Sequence, residues 1–474
     1  MGEDFDPDRR ALVAGVVAVA GGGTSPAIAA GVAQVAAKLE GPILGGPIFT
    51  GDRAADAEAA LKRHGYVQEE YFLTGAVGGR PYKVPLLVRR PADDRKFSGL
   101  VVVEPMHVGG YSVLWPYGGE VFMAGGHGYA LAGAQRIPVD ATIRPVNPTR
   151  YASLVMPQAT AAEIAAIPLT GVLASAPQPL AGQLRASVAE GPLTHEIMSQ
   201  VGALLKSPAG GRVFRKPARW LVTGGYSQSG QFTLNYLRGA AQKAQAAYGK
   251  PIYDGFLPLG SSGEEPIPPH PGKVVQAMGE GDYLNYAATR GDAYRRPDSD
   301  APGDQYRLYE IAGGSHIPTR GAALTAEAKA NFAPDEHPGQ FPSAMIYAAA
   351  ITNLLAWVTR GTPPPRAERL RLNPDRSIVR DAYGNALGGV RSSYLDVPIA
   401  RYIAVAPPRA GGFNRNFYGL EVPLPKETLL RLYPTHADYA AKARASVDAL
   451  VKARWLLPAD GEALKREAEA AAVP

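Results

Sequence analysis

From about residue 65 onward the chain alternates short apolar runs with helical stretches, and no other feature restricts its fold as strongly. Leu100-Val101-Val102-Val103-Glu104 is a continuous run of the kind buried on both faces in a parallel sheet. Further strand-like runs cover residues 129–134, 220–223, 255–259, 273–278 and 306–311. A run at 82–88 precedes them and reads as an edge strand, because Pro85 cannot donate to a ladder. Helical segments fall between most of the runs, at 230–238 and at 343–358, the latter stopping at Gly361 before Pro363-Pro364-Pro365. This order predicts an α/β fold with a mostly parallel central sheet flanked by helices.

Two segments interrupt the rhythm. Residues 137–218 separate two strands by far more than an ordinary crossover, and read either as a lid or as an excursion packed on the side. Residues 363–465 form a C-terminal extension ending in an amphipathic helix at 437–455, with Thr435 and Asp438 spaced as a capping box. The expected organisation is one domain over 65–465 that includes both segments.

Composition narrows the function classes. There is no cysteine, which excludes disulfides, thiolate zinc sites and cysteine nucleophiles. The net charge of +6 is spread without a dense Lys/Arg run, so no nucleic-acid partner is expected. No apolar segment is long enough for a membrane span. Residues 1–35 carry Arg9-Arg10, the stretch ALVAGVVAVAGGG and Ala27-Ile28-Ala29, a pattern resembling a twin-arginine export signal. That predicts a periplasmic or secreted protein. The alternative is a flexible or helical N-terminus of a cytoplasmic one, which Glu3, Asp4, Asp6 and Asp8 favour.

The chemistry concentrates at strand ends. Gly225-Tyr226-Ser227-Gln228-Ser229-Gly230 joins a strand to a helix and approximates the G-x-S-x-G nucleophile elbow, with Ser229 in the place of the second glycine. A serine hydroxyl needs a base within reach and a carboxylate to orient that base. In the order this fold requires, Gly279-Glu280-Gly281-Asp282 follows the run at 273–278, and Gly313-Gly314-Ser315-His316 follows the run at 306–311. Ser227 is therefore the expected nucleophile, His316 the base and Asp282 the acid, with Glu280 the competing carboxylate. An oxyanion hole needs two N–H donors. One is expected from Gln228, and the other from the loop Glu104-Pro105-Met106-His107-Val108-Gly109-Gly110. Pro105 has no N–H, so Met106 or His107 is the expected second donor; the His107 side chain is a further option.

Other motifs fail. His195-Glu196 begins like a zinc-binding H-E-x-x-H helix, but position 199 is Ser. No nucleotide-binding glycine motif is present, so neither a metal nor a cofactor is expected.

The stretches FSGLVVVEP, GYALAGAQR, GGYSQSGQFTLNYL, YDGFLP, GEGDYLN and YRLYEIAGGSHIP resemble a bacterial, largely uncharacterised family of α/β-hydrolase domain proteins. So do RDAYGNALGGVRSSYLDVPIA and LYPTHADYAAKARASVDALV in the tail, and the likeness covers roughly residues 65–465. The resemblance implies an α/β-hydrolase fold, a serine hydrolase with Ser227 as nucleophile and His316 as base, and a tail that belongs to the domain. Members tend to carry Trp and Asn where this chain has Pro105 and His107, which leaves the second oxyanion donor open.

The expected activity is cleavage of a small-molecule carboxylic ester through an acyl-enzyme. Amide or lactone cleavage and acyl transfer would use the same residues. The reading from another class is a non-catalytic ligand-binding protein on a hydrolase scaffold.

Overall fold

The structure, a computed structural model, describes residues 37–45, 49, 56–168, 180–262, 265–288, 291–321, 324, 326–409 and 414–473. The export-signal reading of residues 1–35 lies outside the described residues. The chain divides into two compact units: Met1–Pro258 with Ile267–Val274 and Ala301–Gln305, and Leu259–Pro266 with Val275–Asp300 and Tyr306–Pro474. The expected α/β architecture is the one the chain adopts, with a large, mostly parallel sheet and helices on its faces.

In the first unit the strands are β1 (Lys38–Glu40), β2 (Tyr66–Val77), β3 (Arg80–Pro91), β4 (Leu100–Pro105), β5 (Gly128–Ala132), β6 (Trp220–Tyr226) and β7 (Gly255–Leu259). Their spatial order is β1-β2-β3-β5-β4-β6-β7. β4 lies parallel to β5 and β6, with Val102 opposite Tyr129 on one side and Val222 on the other. Leu100, Val101, Val102 and Val103 are fully buried, as a two-sided parallel strand requires. The second unit carries most of β8 (Lys273–Gly279), of β9 (Ser299–Ala301) and of β10 (Asp304–Ile311).

The run at 82–88 is not an edge strand. β3 pairs antiparallel with β2 through twelve residue pairs and with β5 from Leu86 to Arg89. In an antiparallel strand the N–H and C=O of one residue point to the same neighbour. The Pro85 carbonyl accepts from Gly133 N at 2.9 Å, just past the end of β5, so its missing N–H falls where that ladder stops. Pro81 and Pro91 share this parity and also lie outside the paired stretch with β5. The prolines therefore cost no β2–β3 hydrogen bond.

β2 has no counterpart among the expected strands. Its sequence carries Glu69-Glu70, which masks the apolar pattern. Glu70 is nevertheless buried, paired with Arg150 at 2.6 Å and hydrogen-bonded by the Tyr151 hydroxyl at 2.9 Å. The Gly78-Gly79 turn, with φ of 54° and 75°, closes the β2–β3 hairpin in the manner of a type I′ turn.

Within 137–218 the described residues form short helical turns up to Tyr151, a capped helix Ala161–Ala166, and a 27-residue helix, Leu180–Lys206. Pro192 is accommodated inside that helix, which runs on to Lys206. In the tail, Thr435 and Asp438 do form the capping box of helix His436–Lys452. Its buried Tyr439 and Ala443 pack with Val397, Tyr433, Ala468 and Val473, so a further helix, Pro458–Ala470, covers the same core. Among the described residues no helix is long and apolar enough to cross a membrane.

Candidate active site

Ser227 stands between β6 and the helix Gln228–Asn235. Its backbone has φ 58° and ψ −124°, a region that a residue with a Cβ enters at a cost of roughly 1–3 kcal/mol. The surrounding residues enforce this conformation. A Cβ on Gly225 would lie 2.3 Å from Ser229 Oγ, and one on Gly224 would lie 2.5 Å from Leu257 Cβ. Ser229 is fully buried; its Oγ accepts from Tyr226 N at 3.1 Å and donates to Tyr226 O at 3.0 Å. The departure from the glycine motif is thus a brace: the hydroxyl ties the helix back onto the residue before Ser227.

Gln228 opens the helix, so its N–H belongs to a first turn whose amides lack intrahelical acceptors. The Met106 expectation is corrected. Met106 N donates to Ala132 O at 2.9 Å, continuing the β4–β5 ladder one residue past Pro105, and is not available to an oxyanion. The His107 amide donates to Tyr111 O at 3.2 Å.

The loop carrying these residues is held at both ends. Glu104, fully buried, accepts from Val113 N at 2.7 Å, Leu114 N at 2.9 Å, Ser112 Oγ at 2.7 Å and the Tyr129 hydroxyl at 2.6 Å. Burial pushes its carboxyl pKa up, against the four donors that pull it down. At the other end Gln135 and Gln228 form a reciprocal amide pair. Gln228 Nε2 donates to Gln135 Oε1 at 2.8 Å, and Gln135 Nε2 donates to Gln228 Oε1 at 3.2 Å and to Met106 O at 2.8 Å. Gln135 has no place among the expected site residues, although it stands three residues beyond β5, where open α/β sheets gather their ligands.

In the second unit, the loops after β8 and β10 pack on each other. Gly281 N donates to Gly314 O at 2.8 Å, and a Cβ on Gly279 would lie 2.6 Å from that same oxygen. This close approach aligns the two candidate carboxylates differently. Asp282 Oδ2 accepts from Gly279 N at 2.6 Å, and its Oδ1 is hydrogen-bonded to His316 Nδ1. Glu280 instead accepts from Gly313 N at 2.8 Å and from Arg380 Nη2 at 2.7 Å. All three of Asp282, Glu280 and His316 are buried. The tail supplies part of the histidine's surroundings: Phe417 lies 4.9 Å from its ring, Tyr286 6.0 Å, and Ile317 N donates to Phe417 O at 2.7 Å.

His195, the false zinc lead, packs edge-on against Phe232 at 4.4 Å, and burial pulls its pKa down to about 4. Ser199, in the place of the second zinc ligand, bonds Tyr236 at 3.0 Å.

The sequence matches the family described as "Alpha/beta hydrolase domain" over residues 35–466. The chain belongs to that family. The match takes in both units and the C-terminal extension of this α/β hydrolase. No curated protein matches it. Among solved structures, it is similar to a Klebsiella pneumoniae protein described as a dienelactone hydrolase, at 11% identity over 62% of this chain and 99% of that one, with a TM-score of 0.27. It is likewise similar to a CE15 esterase from a marine bacterial metagenome, at 12% identity, 64% and 86% coverage and a TM-score of 0.28. A glucuronoyl esterase from Solibacter usitatus gives 14% identity, 64% and 87% coverage and a TM-score of 0.28. The family assignment rests on the sequence match alone.

Proposed function

We propose that this α/β hydrolase is a cofactor-independent serine hydrolase of carboxylic esters. The observation that carries the reading is the backbone of Ser227, a buried serine held at positive φ on a strand-to-helix turn. A non-glycine residue keeps such a conformation only where its surroundings impose it, and active sites are where such strain collects.

In this reading the Ser227 hydroxyl attacks the ester carbonyl and His316 takes its proton. Nδ1 of His316 is bonded to Asp282, which leaves Nε2 as the basic nitrogen. The carbonyl π electrons move onto oxygen, and the Gln228 amide donates to the oxyanion. Collapse expels the alkoxide, His316 returns the proton to it, and alcohol leaves an acyl-Ser227. Water, deprotonated by the same histidine, releases the acid and restores the enzyme. Asp282 orients the ring and stabilises the imidazolium. Amides, lactones or an acyl acceptor other than water would use the same steps with another leaving group or nucleophile.

A fluorophosphonate probe tests the reading. It should label Ser227 in the folded protein, and Ser227→Ala should lose both the label and the turnover of short-chain esters. A wild-type protein that stays unlabelled and leaves a panel of esters of varied chain length intact would sink it.

A further inference from the structure

A histidine that works as a base must aim Nε2 at the reacting atoms. A hydrogen bond at Nδ1 fixes one corner of the imidazole, and where the opposite corner points is set by what packs on the ring. Around His316 that packing comes from two places far apart in the sequence. The Phe417 ring lies 4.9 Å from the imidazole at an angle of 46°, and the Tyr286 ring lies 6.0 Å from it at 77°. Phe417 and Tyr286 are 6.4 Å apart, so the three rings form one cluster.

The segment that carries Phe417 is anchored on three sides. Ile317 N donates to Phe417 O at 2.7 Å and Ile317 bridges Tyr418 in parallel, which ties the residue after the histidine to the ring that packs on it. Asn285 Nδ2 donates to Asn416 O at 2.9 Å, and Asn416 Nδ2 donates back to Asn285 Oδ1 at 3.0 Å. Asn285 and Tyr286 stand in the helical turn Tyr283–Ala287 that follows Asp282 directly, so the acid, one ring and half of this amide lock share a single short segment. On the third side the buried Arg415 donates to Glu336 Oε2 at 2.9 Å and to the carbonyls of Asn331 and Pro407. Phe417 itself is only half-buried, so this anchoring fixes the place of a ring that adds little to the core.

We infer that Phe417 is a positioning residue that fixes the direction of His316 Nε2, so that the C-terminal extension takes part in catalysis. The inference rests on the serine-hydrolase reading above. Phe417 transfers no proton and acts through the imidazole it packs against. The effect is large because reaction geometry is steep: a misplacement of about 1 Å costs roughly 10²-fold in rate.

Three substitutions separate this role from a structural one. Phe417→Ala should lower kcat for a short-chain ester about 10²-fold, with KM changed by less than about threefold. Phe417→Leu refills most of the space and should recover kcat to within about tenfold of wild type. Val397→Ala opens a cavity in the core of the extension and is the control: its thermal midpoint should fall while kcat stays within about twofold of wild type. Proton NMR gives a readout that needs no substrate, because a histidine N–H bonded to a carboxylate resonates far downfield. That resonance should be sharp in wild type and in Val397→Ala, and broadened in Phe417→Ala as the ring loosens. A Phe417→Ala protein with wild-type kcat and a sharp resonance overturns the inference, and so does a Val397→Ala protein that loses kcat to the same extent as Phe417→Ala. Fluorophosphonate labelling of the wild type keeps the two readings apart. A labelled Ser227 with a fully active Phe417→Ala removes the role of Phe417 alone, whereas an unlabelled, inactive wild type removes the hydrolase reading and this inference with it.

Discussion

His316 Nδ1 is hydrogen-bonded to Asp282 Oδ1, while the other oxygen of that carboxylate accepts from Gly279 N at 2.6 Å. The second bond makes a specific outcome of Asp282→Asn predictable. The asparagine carbonyl will face the Gly279 N–H, so its NH₂ must face His316. That donor forces Nδ1 to become an acceptor and places the ring proton on Nε2, the wrong nitrogen for a base. Turnover of a short-chain ester should fall by about 10⁴ in kcat, as expected when the orienting carboxylate selects the wrong tautomer. Circular dichroism and the thermal midpoint should stay close to wild type. A kcat within tenfold of wild type would remove Asp282 from the proposed triad.

Glu280→Gln should behave in the opposite way. Glu280 is fully buried between Gly313 N at 2.8 Å and Arg380 Nη2 at 2.7 Å, two donors that require an acceptor on each oxygen. Glutamine offers one acceptor and one NH₂, so one buried donor meets another. The expected cost is about 1–3 kcal/mol of stability, read by urea denaturation. Because its partners are Gly313 and Arg380, kcat should change by no more than about fivefold. A catalytic loss as large as that of Asp282→Asn would reverse the two assignments.

How far the sequence could be read differs from element to element. β4, β6, β7 and β8 are legible because apolar residues dominate each, and β10 because Tyr306, Leu308, Tyr309 and Ile311 show through Arg307 and Glu310, which are buried against the nearby Asp300 and Arg295. β2 is not, because Glu70 is buried by an ion pair with Arg150, eighty positions away, which no local window contains. Among the candidate residues, Ser227, Asp282 and His316 stand out in the sequence as residue types that follow strands in a fixed order. Met106 is misjudged since an amide's availability depends on where β5 ends, and Gln135 and Phe417 escape notice because an amide and a phenyl ring signal no chemistry until Gln135 is seen paired with Gln228 and Phe417 beside the His316 ring.

The elbow gives a double-mutant cycle. Gly225→Ala would place its Cβ 2.3 Å from Ser229 Oγ and 2.6 Å from Ser229 Cβ, and should destabilise the fold by more than about 2 kcal/mol while stopping turnover. Ser229→Gly removes the hydroxyl's bonds to Tyr226 N at 3.1 Å and Tyr226 O at 3.0 Å, for about 1 kcal/mol, yet restores the glycine of the motif and should keep kcat within about tenfold. In the double variant the two nearest obstacles are gone. Its loss should fall short of the sum by about 1 kcal/mol, measured by urea denaturation. Recovery stays incomplete because the carbonyl carbon of Ser229 still lies 2.7 Å from the new Cβ. Strict additivity would mean that Ser229 does not shape the turn.

His270 should make the protein acid-labile in a defined pH window. Its ring is buried against Phe256 at 4.9 Å, its Nδ1 accepts from Gly272 N at 2.8 Å, and burial pulls its pKa down to about 4. In the unfolded chain a histidine titrates near pH 6.5. Between these values the unfolded state holds a proton that the folded state refuses, so stability is full above about pH 6.5 and declines as pH falls toward 4. The total loss from this one group is on the order of 3 kcal/mol. Buried carboxyls such as Glu104, whose pKa burial raises, pull the opposite way, so the contribution is read as a difference between two proteins. His270→Asn keeps an oxygen for the Gly272 N–H but cannot titrate. Urea denaturation from pH 4.5 to 7 should therefore show a stability slope shallower than wild type by close to one proton. Parallel slopes for the two proteins would mean that His270 is protonated in the folded state at the same pH as in the unfolded chain.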